Sequence, residues 1–267
     1  MSDDPSSLLA QLCDLAAAES LRRFRTDLPV ENKLEGAFDP VTEADRAAER
    51  AIRDAALAAF PDHGFLGEEH GEVEGTAPWR WVVDPIDGTR AFVSGVPVWT
   101  TLIGLEHRRV LVAGAIAQPF TRERWIRRVD RPTTYERGGV SDEVRTSGRR
   151  TLGEARLMVT DMRAGQYLQL DEAEAIATVA DRCRLCRQGL DAYGFALVAS
   201  GQLDLVIEAS LSWYDIAAVV PVIEGAGGVA VGWRGEALTE GFHRGRVIVA
   251  ATPELAANAV RFLEHVE

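Results

Sequence analysis

The run Trp79-Arg80-Trp81-Val82-Val83 passes straight into Asp84-Pro85-Ile86-Asp87-Gly88-Thr89, and this junction constrains the fold more than any other stretch of the chain. An apolar run of this kind reads as a buried strand. Two carboxylates as close as Asp84 and Asp87 at the end of such a strand are costly unless a positive charge lies between them. Pro85 stiffens the turn and Gly88 releases it, so the turn has a set shape. Asp-Pro and Asp-Gly are also ordinary turn dipeptides, and Asp is an ordinary helix cap. The junction alone therefore leaves a structural and a functional reading open.

Three more acidic points sit at element ends beside core-forming residues. Asp45 follows Thr42 at capping-box spacing and starts a helix with Ala44, Ala47, Ala48, Ala51, Ile52 and Ala55 on its apolar face, stopped at Phe60-Pro61-Asp62. Glu68 and Glu69 follow Gly67 in FLGEEHG, and Asp215 opens the helical stretch WYDIAAVVPVIEGAGG. Each has a plain alternative, as a helix-dipole partner, a solvated turn or a cap. Gathered around one pocket, they would need cations, and oxygen-only ligands select hard ions: Mg²⁺ first, then Mn²⁺ or Ca²⁺. His63, His70, His107, His243 and His265 are scattered without helical ligand spacing, so a histidine metal site is not expected.

The net charge of −12 argues against nucleic acid or an anionic membrane surface as the main partner. The start, MSDDPSSLLAQL, has no apolar stretch of secretory or membrane length, and Cys13, Cys183 and Cys186 make an odd count suited to a reducing compartment. A cytoplasmic protein is the expectation. Cys183-Arg-Leu-Cys186 has C-x-x-C spacing but no partner pair to complete a metal site.

Periodicity places a first helix from Asp4-Pro5 to about Thr26 and a loop over VENKLEGAFDP. Strands are expected over Leu102–Leu105, Val110–Ala117 and Arg124–Val129, with an exposed arm over Tyr135–Arg150. Strand and helix then alternate: strands at Arg156–Val159, Cys183–Cys186, Leu203–Glu208 and Val247–Ala250, and helices at Asp171–Ala180, Asp191–Ala199, Trp213–Ala226 and Pro253–Val266. This order implies layered α and β structure. Its soft boundary near residue 140 separates an N-terminal α+β half, 1–140, from a C-terminal α/β half, 141–267, within one compact unit.

The motifs DPVTEAD, GEEHG, WVVDPIDGT and WYDIAAVVPVIEGAGG, spread over nearly the whole chain, resemble the signatures of the inositol monophosphatase family. The resemblance implies an αβαβα sandwich of the inositol monophosphatase and fructose-1,6-bisphosphatase type, and Mg²⁺-dependent phosphomonoester hydrolysis with two or three ions and Mn²⁺ as a substitute. Where the family usually reads Trp-Asp, Tyr214 stands between Trp213 and Asp215, and some relatives carry Pro-Tyr-Asp there. By the resemblance, Glu68, Asp84 and the Ile86 carbonyl would hold one ion, and Asp84, Asp87 and Asp215 a second. Glu69 would support a weaker one. Asp45 and Thr89, with Glu68, would form the catalytic set that orients and deprotonates water, and the Gly88 and Thr89 amides would face the phosphate. The family is commonly dimeric, and Trp99 and Trp125, taken as exposed aromatics, are compatible with an interface.

The stretch Gly189-Leu-Asp191-Ala-Tyr193, followed by LDLVIE and VPVIEGAGG, is similar to the histidinol-phosphate phosphatase branch. Asp191 and Glu208 would then meet the ammonium and imidazole of histidinol phosphate, and Asp215 would also touch substrate. Glu208 does not discriminate, since inositol phosphatases carry a glutamate there too, and Asp191 could be only a helix cap. Inositol 1-phosphate, a nucleotide 3′-phosphate and a non-catalytic metal-binding role are the alternatives.

Overall fold

The computed structural model describes residues 4–27, 29–32 and 40–267. A single turn of 3₁₀ helix capped by Asp4 leads into α1 (Leu9–Leu21). The short pair β1 (Glu31–Asn32) and β2 (Pro40–Val41) precedes α2 (Glu43–Ala59). Next come β3 (Gly64–Gly67), β4 (Gly71–Val73), β5 (Trp79–Asp87), α3 (Thr89–Val93), β6 (Thr100–His107), β7 (Val110–Gln118), β8 (Glu123–Arg127), β9 (Thr134–Arg137) and β10 (Val140–Glu143). The rest holds β11 (Arg156–Val159), α4 (Leu170–Ala180), β12 (Leu185–Gln188), α5 (Asp191–Ala199), β13 (Leu205–Glu208), α6 (Trp213–Ile216), α7 (Val219–Gly225), β14 (Val229–Val231), β15 (Val247–Ala250) and α8 (Pro253–Leu263).

Eight strands form one sheet in the order β10-β9-β8-β7-β6-β5-β3-β4, and five form another in the order β12-β11-β13-β15-β14. Alternation along the strands gives each sheet two apolar faces. On one face of the large sheet Trp81, Val83, Ile103 and Leu105 pack against Leu12 and Ala16 of α1 and Ile52 and Ala56 of α2. Val82, Leu102 and Ile116 point the other way and meet Phe195 of α5, Ile216 of α6 and Val222 of α7, which also cover Val206 and Val249 of the small sheet. The outer face of the small sheet, with Leu157, Leu205 and Ile248, packs against Ile176 of α4 and Leu255 and Ala259 of α8. The layers are therefore helix, sheet, helix, sheet, helix: the expected αβαβα sandwich.

Several expectations are corrected. The first α-helix stops at Leu21: the Arg23 and Phe24 N–H groups both donate to the Ser20 carbonyl, at 3.1 and 2.9 Å, which tightens residues 22–25 into a turn that ends with Arg25 at a left-handed φ of 60°. The loop expected over VENKLEGAFDP lies largely outside the described residues. Residues 134–143, expected as an exposed arm, form the β9–β10 hairpin at the edge of the large sheet, where exposure is compatible with pairing. Cys183 precedes β12, which begins at Leu185. The single helix expected over Trp213–Ala226 is two, α6 and α7, with Pro221 in the first turn of the second, where a missing N–H costs least. Trp99 and Trp125 are 0% and 2% exposed. Trp99 packs on Phe24 and Phe92, and Trp125 on Tyr135 and Tyr193, so neither is an interface aromatic.

Candidate active site

Strand β5 does not end at Asp84. It continues through Asp87, with a register shift against β6 between the two, and this irregularity turns both carboxylates toward one cavity. Asp84 closes a tight local turn by accepting from the Ile86 N–H at 3.0 Å, and Thr101 Oγ1 donates to the Pro85 carbonyl at 2.8 Å. Gly88, at φ 80°, leads into α3. A side chain at Gly88 would bring a Cβ to 2.8 Å from Asp191 Oδ2, so only glycine lets this turn lie against the start of α5.

The cavity holds about 720 Å³ between the two sheets' helical layer and the ends of β3, β5 and β13. Asp84, Asp87 and Asp215 each place a carboxylate oxygen there, all within 4.8 Å of one another. Asp215 arrives on α6, where one oxygen accepts from the Ser212 N–H at 2.6 Å. Glu68 and Glu69 line the same cavity from the end of β3. Asp45 is buried in the first turn of α2, as the capping box requires, with Thr42 N–H and Oγ1 donating to Oδ2 at 2.9 and 2.6 Å. Its other oxygen faces Thr89 Oγ1 at 3.4 Å, and Thr89 donates to the Ile86 carbonyl at 3.1 Å.

Asp191 makes no capping bond to its own helix. The N-terminus of α5 is capped instead by Asp87, whose Oδ2 accepts from the Ala192 N–H at 2.7 Å. Asp191 holds a left-handed φ of 47° and points its carboxylate over Gly88. Glu208, at the end of β13, is buried and accepts from the Thr160 N–H at 2.6 Å. The structure thus brings Glu68, Glu69, Asp84, Ile86, Asp87, Gly88, Thr89, Asp191, Glu208 and Asp215 around one space, with Asp45 buried behind Thr89 at its edge.

Burial, then the neighbouring charges of Glu68, Asp87 and Asp215, raises the Asp84 carboxyl well above the usual range. Burial and the charges of Asp191 and Asp215 do the same to Asp87. Burial lifts Asp45 to about 7, against the bonds from Thr42 that oppose it. It lifts Asp191 to about 6, partly offset by Arg90, and Glu208 to about 8. Carboxylates so arranged call for cations. The donor set is oxygen throughout, which suits hard divalent ions.

Sequence reasoning passed over one wall of the cavity. The Arg90 guanidinium lies 4.3 Å from the centre of the Tyr167 ring and donates to Gln166 Oε1 at 3.2 Å, while Ser210 Oγ donates to the Tyr167 carbonyl at 2.6 Å. Arg90 could have been flagged by its place beside Thr89. Gln166 and Tyr167 sit in a loop with no periodicity or motif, so nothing local marks them.

Comparison with known proteins places the chain in a family. The inositol monophosphatase family profile matches residues 4–267. A bifunctional chloroplastic phosphatase of Arabidopsis thaliana, IMPL2, is 39% identical over 225 residues, 83% of this chain, and the chain spans only 62% of that protein. A histidinol-phosphatase of Chlorobaculum parvum is 32% identical over 256 residues, covering 95% of this chain and 94% of the relative. A solved inositol monophosphatase from Zymomonas mobilis superposes with a TM-score of 0.84 at 34% identity, covering 97% of each chain. No helix among the described residues is long and apolar enough to cross a membrane. With its layered fold and its acidic cavity, the chain belongs to the inositol monophosphatase family, a family of phosphatases.

Proposed function

We propose that the protein hydrolyses histidinol phosphate to histidinol and phosphate with Mg²⁺. The observation that carries the substrate choice is Asp191, whose carboxylate enters the cavity over Gly88 instead of capping α5. Together with Glu208 it adds two acids beyond the three whose oxygens lie within 4.8 Å of one another, and a leaving group bearing ammonium and imidazole matches them better than a neutral polyol.

Glu68, Asp84 and the Ile86 carbonyl would hold one Mg²⁺, and Asp84, Asp87 and Asp215 a second, with Glu69 supporting a weaker third and Mn²⁺ as a substitute. When bound, such ions neutralise the phosphate dianion, acidify water and stabilise the leaving oxygen. Thr89 Oγ1, 3.4 Å from Asp45 Oδ1, orients the attacking water. Asp45, raised to about 7, is suited to take the water's proton near neutral pH. The amides of Gly88 and Thr89 donate to phosphate oxygens. Asp191 holds the leaving group by a charge-assisted hydrogen bond, and Glu208, neutral in the free protein, ionises beside the bound cation to add a second. The homodimer and cytoplasmic setting expected of the family belong to the same proposal.

The test is a phosphate-release panel of histidinol phosphate, inositol 1-phosphate, fructose 1,6-bisphosphate and adenosine 3′,5′-bisphosphate, with and without Mg²⁺. Histidinol phosphate is expected to be the best substrate. A charged hydrogen bond contributes about 1.5–3 kcal/mol, so Asp191→Ala should lower kcat/KM for histidinol phosphate by roughly ten- to a hundredfold. Glycerol 2-phosphate should change much less. Equal losses on both would make Asp191 structural. Inositol 1-phosphate, the reading favoured by the Zymomonas mobilis likeness, would displace the substrate assignment if it came out best.

A further inference from the structure

Helix α2 carries two buried acids one turn apart, Asp45 and Glu49, and residues so spaced share a helix face. Asp45 faces Thr89. Glu49 is fully buried and faces the loop that bears Glu68 and Glu69. Its Oε2 accepts from the Glu69 N–H at 2.7 Å, and its Oε1 accepts from the His70 N–H at 2.9 Å. His70 Nδ1 lies 2.7 Å from the same Oε1 and donates to it when the proton is on Nδ1. Gly67 closes the contact from the other side: a Cβ there would sit 2.4 Å from Glu49 Cδ. The G-E-E motif therefore needs its glycine because a carboxylate from α2 occupies the space.

We propose that Glu49 is a positioning residue for the metal site: it clamps consecutive backbone N–H groups of residues 69 and 70 and so fixes the loop shape that turns Glu68 and Glu69 into the cavity. The inference rests on the reading of Glu68 and Glu69 as cation ligands. Without the Glu49 carboxylate two N–H groups of this part-buried loop lose their charged acceptor, and the loop shifts to find another. Its two ligands then leave their places although neither has been altered. Because Asp45 and Glu49 sit on one rigid helix, the general base and the ligand loop are set by the same element.

Glu49→Gln and Gly67→Ala disturb the clamp from opposite sides, the second without changing any charge. Outer partners of ligands typically carry ten- to a hundredfold of metal affinity. Both variants should therefore bind Mg²⁺ about tenfold or more weakly by isothermal titration calorimetry. Their half-saturating Mg²⁺ in turnover should rise in parallel, kcat should recover at saturating Mg²⁺, and KM for substrate should hold. Asp204→Asn, which loosens the far end of the small sheet, should lower the melting temperature and leave the Mg²⁺ isotherm unchanged. Unchanged Mg²⁺ affinity in Gly67→Ala, with Asp87→Asn binding weakly in the same assay, would overturn the positioning role alone. So would a kcat that stays low at saturating Mg²⁺. No Mg²⁺ isotherm from the unmutated protein would overturn the metal reading and this inference with it.

Discussion

Strand β13 has a buried carboxylate at each end. Asp204, just before it, is fully enclosed and held by arginines: Arg156 donates through Nε at 2.8 Å and Nη2 at 3.0 Å, Arg149 through Nη1 at 3.1 Å, and Ser147 adds its hydroxyl. Burial works against its ionisation, but these bonds win and hold the carboxyl at about 2. Glu208, at the other end, has one backbone N–H and is pushed up by burial to about 8. The same contrast separates the two ends of the molecule. At one, the chain supplies the cations its buried acids need. At the other, burial raises Asp84, Asp87 and Glu208, and the charges of neighbouring carboxylates raise Asp84 and Asp87 further. A buried acid with its own arginine is a fastening, and a cluster of buried acids that repel one another is a socket for a cation from outside.

The largest test of this contrast is Asp87→Asn. Turnover should fall by on the order of a hundredfold or more, because the proposed cation site would lose an anionic ligand. The stability change should have the opposite sign. A carboxyl raised on folding weakens the folded state as pH climbs past its ordinary value, so at neutral pH the metal-free protein carries a penalty that Asn does not. The metal-free variant should melt a few degrees higher, at roughly 2–4 °C per kcal/mol for a chain of this size, and gain less on adding Mg²⁺. A lower melting temperature without metal would break the comparison.

The second test sets the two ends of β13 against each other. Asp204→Asn removes an anion that Arg149 and Arg156 hold, and both arginines reach solvent in part, so the cost should be about 1.5–3 kcal/mol in urea unfolding, with activity per folded molecule unchanged. Glu208→Gln swaps a group already mostly neutral at pH 7 for a neutral one, and its stability should stay within about 0.5 kcal/mol. Equal costs at both ends would remove the distinction.

The smallest effect is in the acid limb. The Asp204 carboxyl is lowered from its ordinary 3.8 to about 2, so its contribution is complete above about pH 4 and is lost as pH falls toward 2. The stability gap between the unmutated protein and Asp204→Asn should narrow through that window. A gap that stays constant down to pH 2 would mean that the arginines act through packing and not through charge.

Local patterning along the chain was enough to name the layers and most of the acids. Period-two apolar runs named most of the strands, Thr42 and Asp45 marked the start of α2 through a local capping box, and the acidic motifs named the Asp84, Asp87 and Asp215 cluster with Glu68 and Glu69 beside it. These are local signals: a cap or an alternation is written within a few residues and survives whatever the rest of the chain does. Which contacts cross the chain was settled by packing alone. Trp99 and Trp125 read as candidates for a surface and lie in cores built by residues far away in sequence. Asp191 could also be read as a cap, and only the folded chain shows that Asp87 caps α5 while Asp191 leans over Gly88. Nothing local in the sequence marks Glu49, yet it is buried against a loop twenty residues on. A carboxylate's meaning depends on whether an arginine, a backbone N–H or another carboxylate is brought to it, and that choice belongs to packing at long range.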